Sequence, residues 1–131
     1  MDDAGQNSAA DGRLARKKIL LIDDEESVLH ALQLLLEALG FSVLAFSNGK
    51  AALEHLSADT LPDFVLCDLR MPEMDGLKVL KQIRKNYPTL PAALMSAHAA
   101  EDEIAIARGI GINRFLGKPF TVDELKAVIN S

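Results

Sequence analysis

The 131-residue chain lacks several things at once. It has one cysteine, Cys67, so an internal disulfide is excluded and a reducing, cytoplasmic compartment is expected. No apolar run reaches the ~18 residues that a membrane span needs. Positive charge is in deficit: 14 Lys and Arg stand against 19 Asp and Glu. The net charge of −5 argues against a general nucleic-acid binder. The first eleven residues are acidic and polar, not a signal peptide. Internal repeats and low-complexity tracts are missing too. What is present is a composition of 49% hydrophobic and 25% charged residues, that of one soluble globular domain with a real core.

Residues 1–16 are small, polar and aperiodic, which predicts a disordered tail, with the folded domain over 17–131. "KILLID" reads as a buried strand of the parallel-sheet type. "ESVLHALQLLLEALG" is helical, with Val28, Leu32, Leu35 and Leu39 on one stripe and Gly40 as the stop. "FSVLAFS" is a second strand, and Asn48 can cap a helix running to about Leu56. "DFVLCD" is a third strand. "MDGLKVLKQIRKN" is a third helix, with Leu77, Leu80 and Ile83 inward and Lys78, Lys81 and Lys85 as a solvated face. "AALMSA" is a fourth strand, followed by a less apolar helix from about Ala99 to Arg108. "NRFLGK" is a short fifth strand, and Thr121 with Glu124 forms a capping box that opens a last helix. This alternation predicts an α/β fold, a flavodoxin-like (βα)5 doubly wound parallel sheet of order 2-1-3-4-5. Ligands of such sheets bind beyond the carboxyl ends of the strands, between strands 1 and 3.

The strand ends carry an unusual collection. Strand 1 runs into "DDEE", strand 3 ends in Asp68, strand 4 in Ser96 and strand 5 in Lys118. Like charges repel: at ~4 Å and an effective dielectric of 20, a pair costs about 4 kcal/mol. A cation is therefore expected among Asp23, Asp24 and Asp68. Lys118 is one, and a set of hard oxygen ligands suits Mg²⁺ as another.

In "DDEE", "DLRMPEMDG", "MSA" and "FLGKPF", taken in order and at strand ends, the chain resembles the receiver domains of bacterial two-component response regulators. The resemblance covers about Lys17 to the C-terminus. It implies that Asp68 is the phosphoacceptor for a sensor histidine kinase or phosphotransfer protein. It implies a Mg²⁺ or Mn²⁺ ion held by Asp68 and Asp24 directly, by Asp23 largely through water, and by the Arg70 backbone carbonyl. Lys118 and Ser96 would contact the phosphoryl oxygens, and the Lys118–Pro119 bond would be cis. Ser96 and Phe115 would form the switch. The face made by helix 4, strand 5 and helix 5 would engage an output domain or a second copy. Direct nucleic-acid or membrane binding by this domain is not implied. Arg70 and His98, each two positions after a site residue, are candidates for control of phosphoryl lifetime.

Plainer readings stand beside these. Asp23 and Asp24 also suit a helix start through the helix dipole, and Glu25 and Glu26 are helix-start residues. Cys67 is expected as a small core residue, and His30 and His55 as surface residues. Met71 and Met74 need no special role. A haloacid-dehalogenase-type phosphatase would need a second Asp two residues after Asp68, where Arg70 stands. An FMN binder would need phosphate-loop donors where "DDEES" offers carboxylates. A receiver that no longer takes phosphate is disfavoured, because every expected site residue is present. The last helix is about three turns at ~3.6 residues each, short for a sheet edge. The expectation is thus a receiver cut from a longer regulator or hybrid kinase, with a stand-alone receiver as the alternative.

Overall fold

The computed structural model describes residues 16–130, so the expected tail, apart from Arg16, lies outside the described residues. Among the described residues there are five strands: β1 (Lys18–Ile22), β2 (Ser42–Phe46), β3 (Phe64–Asp68), β4 (Ala92–Ser96) and β5 (Arg114–Gly117). Five helices alternate with them: α1 (Glu26–Ala38), α2 (Gly49–His55), α3 (Gly76–Asn86), α4 (Glu101–Gly109) and α5 (Val122–Asn130). All strands pair in parallel in the order β2-β1-β3-β4-β5, as the alternation predicts. A 3-10 turn at Ala58–Thr60 precedes β3 and has no counterpart in the sequence reading.

Both faces of the sheet are covered. Successive residues of β1 alternate between two cores: Ile19 and Leu21 pack with α1 and α5, Leu20 and Ile22 with α2, α3 and α4. β3 does the same with Phe64 and Leu66 against Val65 and Cys67. This period-2 division is why the strands read as unbroken apolar runs. On α1 the deepest residue is Leu36, followed by Leu32, whereas Leu35 is half-buried. On α3 Val79 joins Leu80 and Ile83 inside, while Leu77 is half-buried. Lys78, Lys81 and Lys85 are exposed, as expected of a solvated face. His30 and His55 are exposed and Cys67 is fully buried. No helix among the described residues is long and apolar enough to cross a membrane.

Local signals hold the ends. Asn48 accepts the Ala51 N–H at 2.7 Å and Asp75 the Lys78 N–H at 3.0 Å, so α2 and α3 start where a polar side chain caps them. Thr121 and Glu124 cap α5 reciprocally, at 3.0 and 2.8 Å. Gly40 closes α1 at φ +101°, a left-handed conformation that favours glycine.

Candidate functional site

The parallel register brings the strand ends to one edge. Ile22 pairs with Cys67, Asp68 with Met95, and Ser96 with Gly117. The residues just past these pairs therefore share a mouth. There Lys118 Nζ lies 3.0 Å from Asp23 Oδ2 and 3.2 Å from Asp68 Oδ1. Asp23, Asp24 and Asp68 each offer a carboxylate oxygen within 4.8 Å of the others, a group that can hold a metal ion. The Lys118–Pro119 peptide is cis.

The acids are not equivalent. Asp23 is fully buried and Asp68 nearly so, at 0% and 7% exposure. Burial, assisted by the charge of Asp23, pushes the Asp68 carboxyl above its ordinary value against the pull of Lys118. Burial by itself would lower Lys118, but its bonds to Asp23 and Asp68 outweigh that and raise it. Asp23 Oδ1 also accepts the Glu25 N–H at 3.0 Å, so this residue both orders the entry to α1 and holds the lysine. Asp24 faces a cavity of ≈440 Å³, lined also by Asn48, Lys50, Met71 and Met74. Burial pushes the Cys67 thiol up, which keeps it protonated beside Asp68.

Gly76 sets how closely α3 approaches the site. A Cβ there would collide with the Asp68 carbonyl oxygen and crowd the Leu94 side chain. The Gly76 N–H instead reaches the Leu69 carbonyl at 2.9 Å.

Ser96 and Phe115 lie on the α2–α4 side of the sheet and line a cavity of ≈270 Å³ with Leu94, His98, Glu103 and Ile104. Arg108 of α4 stands over the Phe115 ring, 5.9 Å from its centroid. The Ser96 hydroxyl accepts the His98 N–H at 3.0 Å.

Of the residues expected at the site, Asp23, Asp24, Asp68 and Lys118 are brought together directly. Ser96, His98 and Phe115 line the second cavity together with Leu69 and Gly117, the chain neighbours of Asp68 and Lys118. The Arg70 side chain pairs with Glu103, at 2.7 and 2.8 Å, and with the His98 carbonyl at 3.3 Å. Glu103 has no counterpart in the sequence reading. The one local signal for it is an acid three residues after the α4 N-cap, where the carboxylate reaches back to the Ala100 N–H at 2.9 Å.

Comparison with known proteins agrees with this geometry. Residues 19–130 match the family model described as the response regulator receiver domain. The regulatory protein AtoC of Escherichia coli (strain K12) is 41% identical over 115 residues, which are 88% of this chain and 25% of that protein. The DNA-binding transcriptional regulator NtrC of the same strain is 39% identical over 116 residues, 88% of this chain and 24% of that protein. The chain thus spans about a quarter of the length of these relatives. A receiver domain protein from Clostridium thermocellum superposes with a TM-score of 0.80 at 32% identity, over 87% of this chain and 91% of that one. The fold, the strand-end residues and the family match converge on one conclusion: the chain belongs to the response regulator receiver domains of two-component signalling.

Proposed function

We propose that this receiver takes a phosphoryl group onto Asp68 from a phosphohistidine on a sensor kinase or phosphotransfer protein, and that the product is a signalling state. One observation carries the reading: three carboxylates within 4.8 Å of one another, two of them bonded to a single lysine. Such an arrangement repels itself at rest and gains from added positive charge, which suits a phosphoryl site loaded together with a cation. The donor set is all oxygen, so Mg²⁺ or Mn²⁺ fits it, with Asp24, Asp68 and the Arg70 carbonyl as direct ligands and Asp23 acting largely through water. A bound divalent ion would neutralise charge on the phosphoryl oxygens.

The chain's own residues do the rest. An oxygen of Asp68 forms the new P–O bond as the P–N bond to the donor histidine breaks. Lys118, already 3.2 Å from Asp68, is placed to pair with a phosphoryl oxygen. Ser96 donates its hydroxyl to another phosphoryl oxygen and gives up the His98 N–H it now accepts. The face formed by α4, β5 and α5 then engages an output domain or a second copy. No acid stands two residues after Asp68 to protonate a leaving group, which speaks against a phosphatase of the haloacid-dehalogenase type. The domain catalyses only its own phosphorylation and dephosphorylation.

Asp68→Asn tests the assignment, since an amide is a far poorer nucleophile than a carboxylate. Incubation with acetyl phosphate and Mg²⁺ should add one phosphoryl mass to the wild type and none to the variant, by intact-mass spectrometry. An undiminished adduct on the variant would overturn it.

A further inference from the structure

Arg70 stands two positions after Asp68, and its guanidinium is engaged across the mouth by the segment that opens α4. Nη1 and Nη2 grip the two Glu103 oxygens at 2.7 and 2.8 Å, and Nη2 also donates to the His98 carbonyl. Glu103 accepts the Ala100 N–H in turn, and that bond, followed by the guanidinium, holds its carboxyl below the ordinary value. One side chain therefore ties the loop after β3 to the first turn of α4.

That first turn is otherwise held by Asp102, whose carboxylate accepts the Glu103 N–H at 3.0 Å. The N-cap is Ala100, which has no side-chain oxygen to offer, and Ala107 is the one fully buried residue of α4. Glu103 caps the helix start, and Arg70 holds Glu103.

We propose that Glu103 is a positioning residue that keeps Arg70 in reserve: when Asp68 is phosphorylated, the guanidinium passes from the Glu103 carboxylate to the phosphoryl oxygens, and α4 loses its tie to the loop after β3. The inference rests on Asp68 being the phosphoacceptor. A carboxylate and a phosphoryl group both accept a guanidinium through two parallel hydrogen bonds, so the exchange replaces like with like. The phosphoryl brings about two negative charges close to Arg70 along the chain. The Arg70 side chain is 59% exposed, so it can change partners through water. After the exchange Glu103 keeps the Ala100 N–H, and the His98 carbonyl returns to solvent. This route acts by charge on the α4 N-terminus and is separate from the switch expected of Ser96 and Phe115.

Beryllium trifluoride with Mg²⁺ serves as the probe, titrated into the full chain and followed by fluorine NMR. Glu103→Gln keeps an acceptor for Ala100 but sheds the charge that competes for Arg70. It should tighten binding about two- to fivefold, the range that one exposed ion pair covers. Arg70→Ala should weaken binding, and the double variant should match Arg70→Ala, because Glu103 acts only through Arg70. Without the probe, both single variants should speed amide exchange at Ala100 and Ile104, the amides that the Glu103 cap protects. Glu103→Gln affinity equal to wild type, or an equal shift with and without Arg70, would overturn the proposal. So would unchanged exchange in both variants. Failure of the underlying reading looks different: the wild type itself would bind no beryllium trifluoride.

Discussion

Lys118 Nζ stands 3.0 Å from Asp23 Oδ2, although 95 positions separate the two residues in the chain. β1 and β5 are not neighbours, so the lysine reaches over the ends of β3 and β4 to make this bond. It holds together two strand ends that no ladder hydrogen bond joins.

Removing that charge should cost stability. Lys118→Met keeps an apolar stem but leaves Asp23 and Asp68 facing each other unpaired. Breaking a fully buried pair costs ~3–5 kcal/mol, and the 23% exposure of the Lys118 side chain reduces this to about 2 kcal/mol at pH 7. Because the folded-state pKa of Lys118 is raised, its contribution in the wild type persists below the ordinary value of 10.5 and disappears as pH climbs through the raised one. Urea unfolding of both proteins at pH 7 and in strong alkali measures this. Equal stability at pH 7 would show that the lysine is not compensating the acids.

Asp68→Asn should do the reverse in the absence of divalent metal. Burial first, and Asp23 second, raise the Asp68 carboxyl above 3.8. A carboxyl raised in the folded state favours folding below its unfolded value, and that benefit is lost as pH rises through the folded one. The amide should therefore be more stable than the wild type at pH 7, the two converging below the ordinary carboxyl range. Thermal unfolding in chelator at pH 7 and in acid decides it, and a less stable variant at pH 7 would contradict the sign.

The two neighbouring acids should separate by what they do. Asp23 is buried and bonded to Lys118, whereas Asp24 looks onto the open cavity. Asp24→Ala should weaken Mg²⁺ binding at least tenfold and change apo stability by less than ~1 kcal/mol. Asp23→Ala should weaken both binding and stability. Calorimetric titration with parallel urea curves would show it, and wild-type Mg²⁺ affinity in Asp24→Ala would remove that residue as a direct ligand.

Signal transmission should depend on the cavity between Ser96 and Phe115. Drawing the Ser96 hydroxyl toward a phosphoryl group vacates space that the Phe115 ring can enter, at the expense of its contact with Arg108. Burying such a ring is worth ~1.5–3 kcal/mol, enough to move a two-state equilibrium tenfold or more. Ser96→Ala and Phe115→Ala should each lose most of the beryllium-fluoride-induced amide shifts on α4, β5 and α5. A full wild-type shift pattern in both would close this route.

Much of this was legible in the sequence, for a physical reason. Strands buried on both faces announce themselves as apolar runs, and "ILLI" and "FVLC" end abruptly in the carboxylates that matter. The sheet order follows from the βα alternation, and the convergence of Asp23, Asp68 and Lys118 follows from the order. Which leucine of "LLL" at 34–36 lies deepest did not follow. Three adjacent apolar residues leave the rotation of a helix about its axis to tertiary packing, and packing placed Leu36 in the core. Val79 on α3 was hidden in the same way. Glu103 was invisible for another reason. Its partner Arg70 is 33 positions away, and a polar contact between a loop and a helix start leaves no periodic trace.

Gly76 gives the reactive end of β3 a tight fit that a single methyl group could undo. Its missing side chain lets the first turn of α3 sit against the Asp68 backbone, where a Cβ would strike the carbonyl oxygen. The height of Asp68 relative to Lys118 is therefore set partly by an absent atom. A substitution there acts as a wedge under the carboxylate without altering any group that handles charge. Loss of signalling from such a change would be a fault of spacing, visible as displaced distances in a protein whose chemical groups are all intact.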